Sequence, residues 1–141
     1  MGKVIATAEV TNNGNQYTSD VSINQHDLLV DEPIEKSGED LGPAPGDYLC
    51  AALASCKAIT LRMYAQRKGW TIDEIKVKVD LVKNSQSEPV SNTFICELSF
   101  DGNLDEEQIK RLEVIASSCP LHKLLSRPNE IITTLVQERA L

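Results

Sequence analysis

The stretch Asp47–Trp70, DYLCAALASCKAITLRMYAQRKGW, decides how the rest of the chain is read. It is rich in Ala and Leu, has no proline, and meets its first glycine at Gly69. Pro45, just upstream, suits a first helical position, where its missing N–H would have had no partner. Gly69 can adopt the left-handed conformation that ends a helix. Together these signals predict a helix of about six turns, beginning after Pro45 and stopped at Gly69. Its first half, Tyr48 to Ala54, is apolar all round, which predicts a central, buried helix.

Upstream of the helix the pattern has period two. Val4 to Thr11 is rich in β-branched residues, NNGN at 12–15 is a turn signal, and Tyr17 to Ile23 reads as a returning strand. DLLV (27–30) is a third short strand, and the Gly- and Pro-rich segment 35–46 is loop. Downstream, Ile75, Val77, Val79 and Leu81 alternate with polar residues, as do Phe94, Cys96, Leu98 and Phe100, predicting two half-buried strands. Asn103 with Glu106 three residues on matches a capping box. The helix it would start carries Ile109, Leu112 and Ala116 at helical spacing. Cys119-Pro120 breaks that helix and begins a short one through Leu125, and EIITTLVQE (130–138) reads as a closing strand. The sum is an α+β fold: strands, one long helix, strands, a helix pair and a strand.

The chain has 141 residues, 41% of them hydrophobic, and reads as one globular domain spanning 1–141. Its net charge of −7 argues against a general nucleic-acid or anionic-membrane surface. MGKVIATAEV offers no apolar run for a signal peptide or membrane span, so the expected location is cytoplasmic.

Such a compartment keeps thiols reduced, and the four cysteines include no CxxC pair. Cys96, on the apolar face of a strand, and Cys50, in the apolar half of the helix, read as core residues. Cys50 and Cys56 cannot pair with one another. Six helical residues rise about 9 Å, beyond the roughly 7 Å limit for a disulfide. Cys56 sits where the helix turns from apolar to mixed, on a face shared with Leu49, Ala52, Leu53, Thr60 and Met63. Cys119 precedes a proline and is the expected N-cap of the short helix. There a thiol sees the positive end of the helix dipole and free N–H groups, which favour its thiolate. His122 and Lys123 add possible positive charge. A metal site at Cys119 and His122 is a competing reading, but it needs two further ligands, and the other histidine, His26, is far away in sequence.

GPAPGDYLCAALASCKAITLRMYAQRKGW, followed at a distance by SSCPLHKLL (117–125), resembles the OsmC/Ohr family, in particular its OsmC-like branch of thiol-dependent hydroperoxide reductases. HDLLVDEP before the helix extends the likeness over nearly the whole chain. The resemblance implies an α+β fold with long central helices covered by antiparallel sheet portions. It implies an intertwined homodimer with its sites at the subunit interface. It assigns Cys56 as the peroxidatic cysteine and Cys119 as the resolving cysteine, acting in oxidative-stress defence. The implied substrate is a small apolar organic hydroperoxide, the implied reductant an external dithiol, and no cofactor or metal is required.

The chain departs from the family pattern in its charged residues. Members are expected to carry an arginine in the N-terminal strands, whereas the first arginine here is Arg62. Arg62 lies about 120° around the helix from Cys56, and Lys57 points about 100° away from it. Asp47 stands near the family's glutamate but nine residues before Cys56, on the opposite side of an ideal helix; it also suits the helix start electrostatically. Asp47, Arg62 and His122 are the candidate supporting residues. An OsmC-fold homodimer that binds small molecules or senses oxidants, without turnover, is the alternative function.

Overall fold

The computed structural model describes residues 2–136. The chain runs β1 (Glu9–Thr11), β2 (Ser19–Ile23), β3 (His26–Val30), α1 (Pro45–Lys68), β4 (Ile72–Asn84), β5 (Ser91–Gly102), α2 (Glu106–Ala116) and α3 (Pro120–Leu125), with a 3-10 turn at Ile34–Lys36. The α+β class expected from the pattern is the one found. The described residues divide into two compact units, one of residues 2–54 and 78–97, the other of residues 55–77 and 98–136.

In the first unit, β1, β2 and β3 form an antiparallel sheet in that order. NNGN turns the chain as expected. Asn12 Oδ1 accepts from the Gly14 N–H at 3.0 Å, and Gly14 takes a φ of 89°. Ile23 pairs with His26 across a tight turn in which Asn24 has a φ of 54°, a left-handed value that asparagine tolerates. Asp31 is buried and organises the loop that follows. Its carboxylate accepts from Thr18 Oγ1 at 2.7 Å, the Glu32 N–H at 2.7 Å and the Leu41 N–H at 3.2 Å. Burial pushes that carboxyl up, but these bonds together hold it below its ordinary range.

Two N-terminal expectations change. The strand expected over Val4–Thr11 forms only at Glu9–Thr11, and Val4 and Ile5 stand exposed before it. The first half of α1 is not buried in this single chain: Leu49 is exposed, as are Ala51 and Ala52, and Leu53 alone of Tyr48–Ala54 is buried. An apolar surface needs a neighbour to cover it, and composition does not say whether the same chain supplies one.

The second unit holds the core. Leu61, Tyr64 and Ala65 from α1 meet Ile72 from β4 and Leu112 and Ala116 from α2, with Trp70, Ile75, Leu98, Phe100, Leu104 and Ile115 packed around them. Gly69 ends α1 with a φ of 73°, as its sequence position predicted. The Trp70 ring meets Tyr64 edge-on, with centroids 5.5 Å apart. The β4–β5 ladder shows the expected alternation: Phe94, Cys96, Leu98 and Phe100 are half-buried while their neighbours are exposed.

Two downstream expectations also change. The N-cap of α2 is Asp105, with Gln108 completing the capping box, rather than Asn103 with Glu106. Both tetrads fit the pattern, but Leu104 packs on the core, so the helix begins only after it. The closing strand expected over 130–138 is not formed in 130–136, and 137–138 lie outside the described residues. Ile131 and Leu135 are 88% and 87% exposed, and among the described residues no strand pairs with this β-prone stretch.

Candidate functional site

The turn between α2 and α3 faces the middle of α1 within the second unit. Its geometry follows from Cys119-Pro120. Proline cannot continue α2 but suits the first position of α3, so the chain turns there and Cys119 becomes the N-cap. Its Sγ accepts from the His122 backbone N–H at 3.3 Å, the cap predicted from the sequence. Cys119 is fully buried, whereas Cys56 on α1 is half-buried. The Cys56 side chain lies beside the Cys119 thiol and acts on its pKa, and both are free thiols. Residues 63 positions apart in the chain are thus brought together.

The electrostatic expectation for Cys119 is corrected. A helix N-cap was expected to favour its thiolate, but burial is the larger influence and pushes the thiol up. The His122 N–H acts downward, the Cys56 side chain upward, and the Lys57 charge downward, leaving the net shift upward. Cys119 therefore holds its proton at neutral pH.

Lys57 is the residue that sequence reasoning passed over. Its side chain is buried, 3% exposed. Nζ donates to the Ala116 carbonyl oxygen at 2.8 Å and lies 2.8 Å from His122 Nδ1. Burial, and then the Lys57 charge, lower the pKa of His122. His122 is therefore neutral, with Nδ1 the acceptor from lysine and the ring proton on Nε2, a tautomer assigned from this contact. One signal was available: a lysine immediately after a cysteine and one turn before the buried Leu61, at the point where the helix turns from apolar to mixed. A turn of about 100° from Cys56 does not keep Lys57 from the site, because its long side chain carries Nζ to Ala116 and His122.

The remaining candidates have structural partners. Arg62 donates through Nη1 to the Ile72 carbonyl oxygen, tying α1 to the start of β4. Asp47 lies inside α1 and accepts from the Ala44 N–H at 2.9 Å, fixing the helix start. Cys50 and Cys96 are each half-buried. For the metal reading, His122 Nδ1 already faces an ammonium, and no group of three or more His, Cys, Asp or Glu side chains gathers among the described residues.

Residues 38–134 match the family described as OsmC-like protein, more than half of the chain. The chain belongs to the OsmC family. Its fold is shared with solved OsmC-family structures. The OsmC-like protein of Mycoplasma pneumoniae is 19% identical with a TM-score of 0.73, over 89% of this chain and 89% of that one. An organic hydroperoxide resistance protein OsmC of Legionella pneumophila is 16% identical with a TM-score of 0.66, over 89% and 91%. The organic hydroperoxide resistance protein OhrB of Bacillus subtilis is 24% identical with a TM-score of 0.60, over 84% and 89%. At these identities the likeness of this OsmC chain to each of them is one of fold. No curated protein matches the sequence at a significant level. Among the described residues, no helix is long and apolar enough to cross a membrane.

Proposed function

We propose that this OsmC-family chain is a cysteine-based peroxidase that reduces organic hydroperoxides, with Cys56 as nucleophile and Cys119 as resolving thiol. The observation that carries the reading is that these two free thiols, 63 positions apart in the chain, are neighbours at the α2–α3 turn. The hydroperoxide resistance named for the Legionella and Bacillus proteins supports the choice of substrate. The Cys56 thiolate attacks the distal oxygen of R–O–O–H. The O–O bond breaks, the electron pair leaves on RO⁻, and RO⁻ takes a proton to become the alcohol. Cys56 is then a sulfenic acid. Cys119, losing its proton, attacks the Cys56 sulfur. An S–S bond forms, the S–O bond breaks, and hydroxide leaves as water with that proton. An external dithiol restores both thiols by exchange. Hydroperoxide and two thiols thus give alcohol, water and a disulfide. The functional unit is a homodimer, a reading supported by the apolar side chains that the single chain leaves exposed, Leu49 and Met63 among them.

The test is consumption of cumene hydroperoxide with a dithiol reductant. Wild-type protein turns over, and mass spectrometry after limiting oxidant finds a Cys56–Cys119 disulfide. Cys56→Ser loses turnover by at least about a thousandfold, since removal of a covalent nucleophile leaves only weak residual catalysis. Turnover that persists in Cys56→Ser defeats the reading. Oxidation of the thiols without steady-state turnover favours an oxidant-sensing dimer instead.

A further inference from the structure

Lys57 has a charge but no counter-charge among the described residues. It is almost completely buried, and its two hydrogen-bond partners, the Ala116 carbonyl and the His122 imidazole, are both neutral. The ion pairs found among the described residues join Lys78 to Asp80 and to Glu97, and none reaches Lys57. Buried charges are ordinarily paired, because leaving one alone in a low-dielectric interior is costly. The groups beside it that can become anionic are the thiols of Cys56 and Cys119.

We propose that Lys57 is the positioning cation of the thiol pair: held under the α2–α3 turn by Ala116 and His122, its ammonium stabilises the thiolate that Cys119 must become to close the disulfide. The inference rests on the thiol-pair reading above and adds to it the source of the charge that the resolving step needs. The geometry carries it in three links. Lys57 Nζ is 2.8 Å from His122 Nδ1, the His122 backbone N–H donates to Cys119 Sγ at 3.3 Å, and the Cys56 side chain lies beside Cys119. The titratable groups facing Cys119 are Cys56 and Lys57 from α1 and His122 from its own helix. His122 is neutral, so Lys57 supplies the positive charge. Lys57 contributes charge and not a proton. The proton from Cys119 leaves with the hydroxide displaced from Cys56. The same contact explains why His122 cannot serve as the cation: two positive charges 2.8 Å apart would repel.

The test reads thiolate directly and needs no hydroperoxide. Thiolate absorbance near 240 nm is followed against pH in reduced protein carrying Cys50→Ala and Cys96→Ala, so that only the pair is seen. In this background Lys57→Met raises the later thiol midpoint by at least about one pH unit, about tenfold less thiolate at a given pH. Lys57→Arg, which keeps the charge, restores most of it. A folded Lys57→Met protein with an unmoved midpoint overturns the proposal. Should Lys57→Met fail to fold, the wild-type chain answers by itself. The Lys57 ¹⁵Nζ resonance shows an inflection at the thiol midpoint and loses it when the pair is oxidised; a flat trace overturns the proposal. The two readings fail separately. A shifted midpoint without peroxide turnover removes the peroxidase and leaves Lys57 in place. Turnover with an unmoved midpoint does the reverse.

Discussion

His122 shows how one contact resets a side chain. Burial and the neighbouring Lys57 charge hold its folded pKa below the ordinary 6.5. In the unfolded chain His122 takes up a proton near that ordinary value, while in the folded chain it does so only at lower pH. Its contribution to stability is therefore complete above about 6.5 and is lost as pH falls through the folded pKa. Thermal unfolding followed by circular dichroism should show Tm falling between pH 7 and 5. His122→Gln, which keeps an acceptor for Lys57 and cannot titrate, should flatten that fall; an unchanged slope would mean that other groups set it. Asp31 acts with the same sign, but only below its ordinary 3.8, so the two windows separate. Cys119 teaches the complementary lesson. Its place as N-cap was legible in Cys-Pro, but the direction of its pKa was not, because burial outweighs the cap.

Helices and strands were legible wherever their signals are local. The start and end of α1 follow from Pro45 and Gly69, and the alternation of β4 and β5 from residues two apart. Where two local signals competed, packing chose between them. Asn103 and Asp105 each head a capping tetrad, and Leu104 between them is drawn into the core. Asp105 Oδ1 accepts from the Gln108 N–H at 2.8 Å, and the Gln108 side chain returns a bond to the Asp105 N–H at 2.9 Å. Asp105→Ala should lower stability by about 1 kcal/mol, within the roughly 0.5–2 kcal/mol range for lost caps. Asn103→Ala should cost less than about 0.5 kcal/mol. Urea denaturation of the two variants checks the pair, and equal losses would place the cap wrongly.

For the molecule as a whole, the apolar residues left uncovered matter most. Val4, Ile5, Ile131, Ile132, Leu135 and Val136 are all at least 78% exposed, in segments with no pairing strand among the described residues. Edges of this kind are ordinarily covered, and a second copy of the chain is the cover proposed here. Sedimentation equilibrium should return twice the chain mass of 15.5 kDa. A monomer at micromolar concentration would remove the dimer from the proposal and leave the thiol pair untouched. The α+β class, the order of the elements from β1 to α3 and the family were determined by the sequence alone, and the two cysteines of the proposal were picked out there as well. They rest on period, on end signals and on motifs, each written in residues close to one another. Tertiary structure decided which groups meet. It set Lys57 against Ala116 and His122, 59 and 65 positions away, buried Cys119, and gave Arg62 and Asp47 other partners. No repeat of two or 3.6 residues encodes such distances, because they arise only when the whole chain closes around its core.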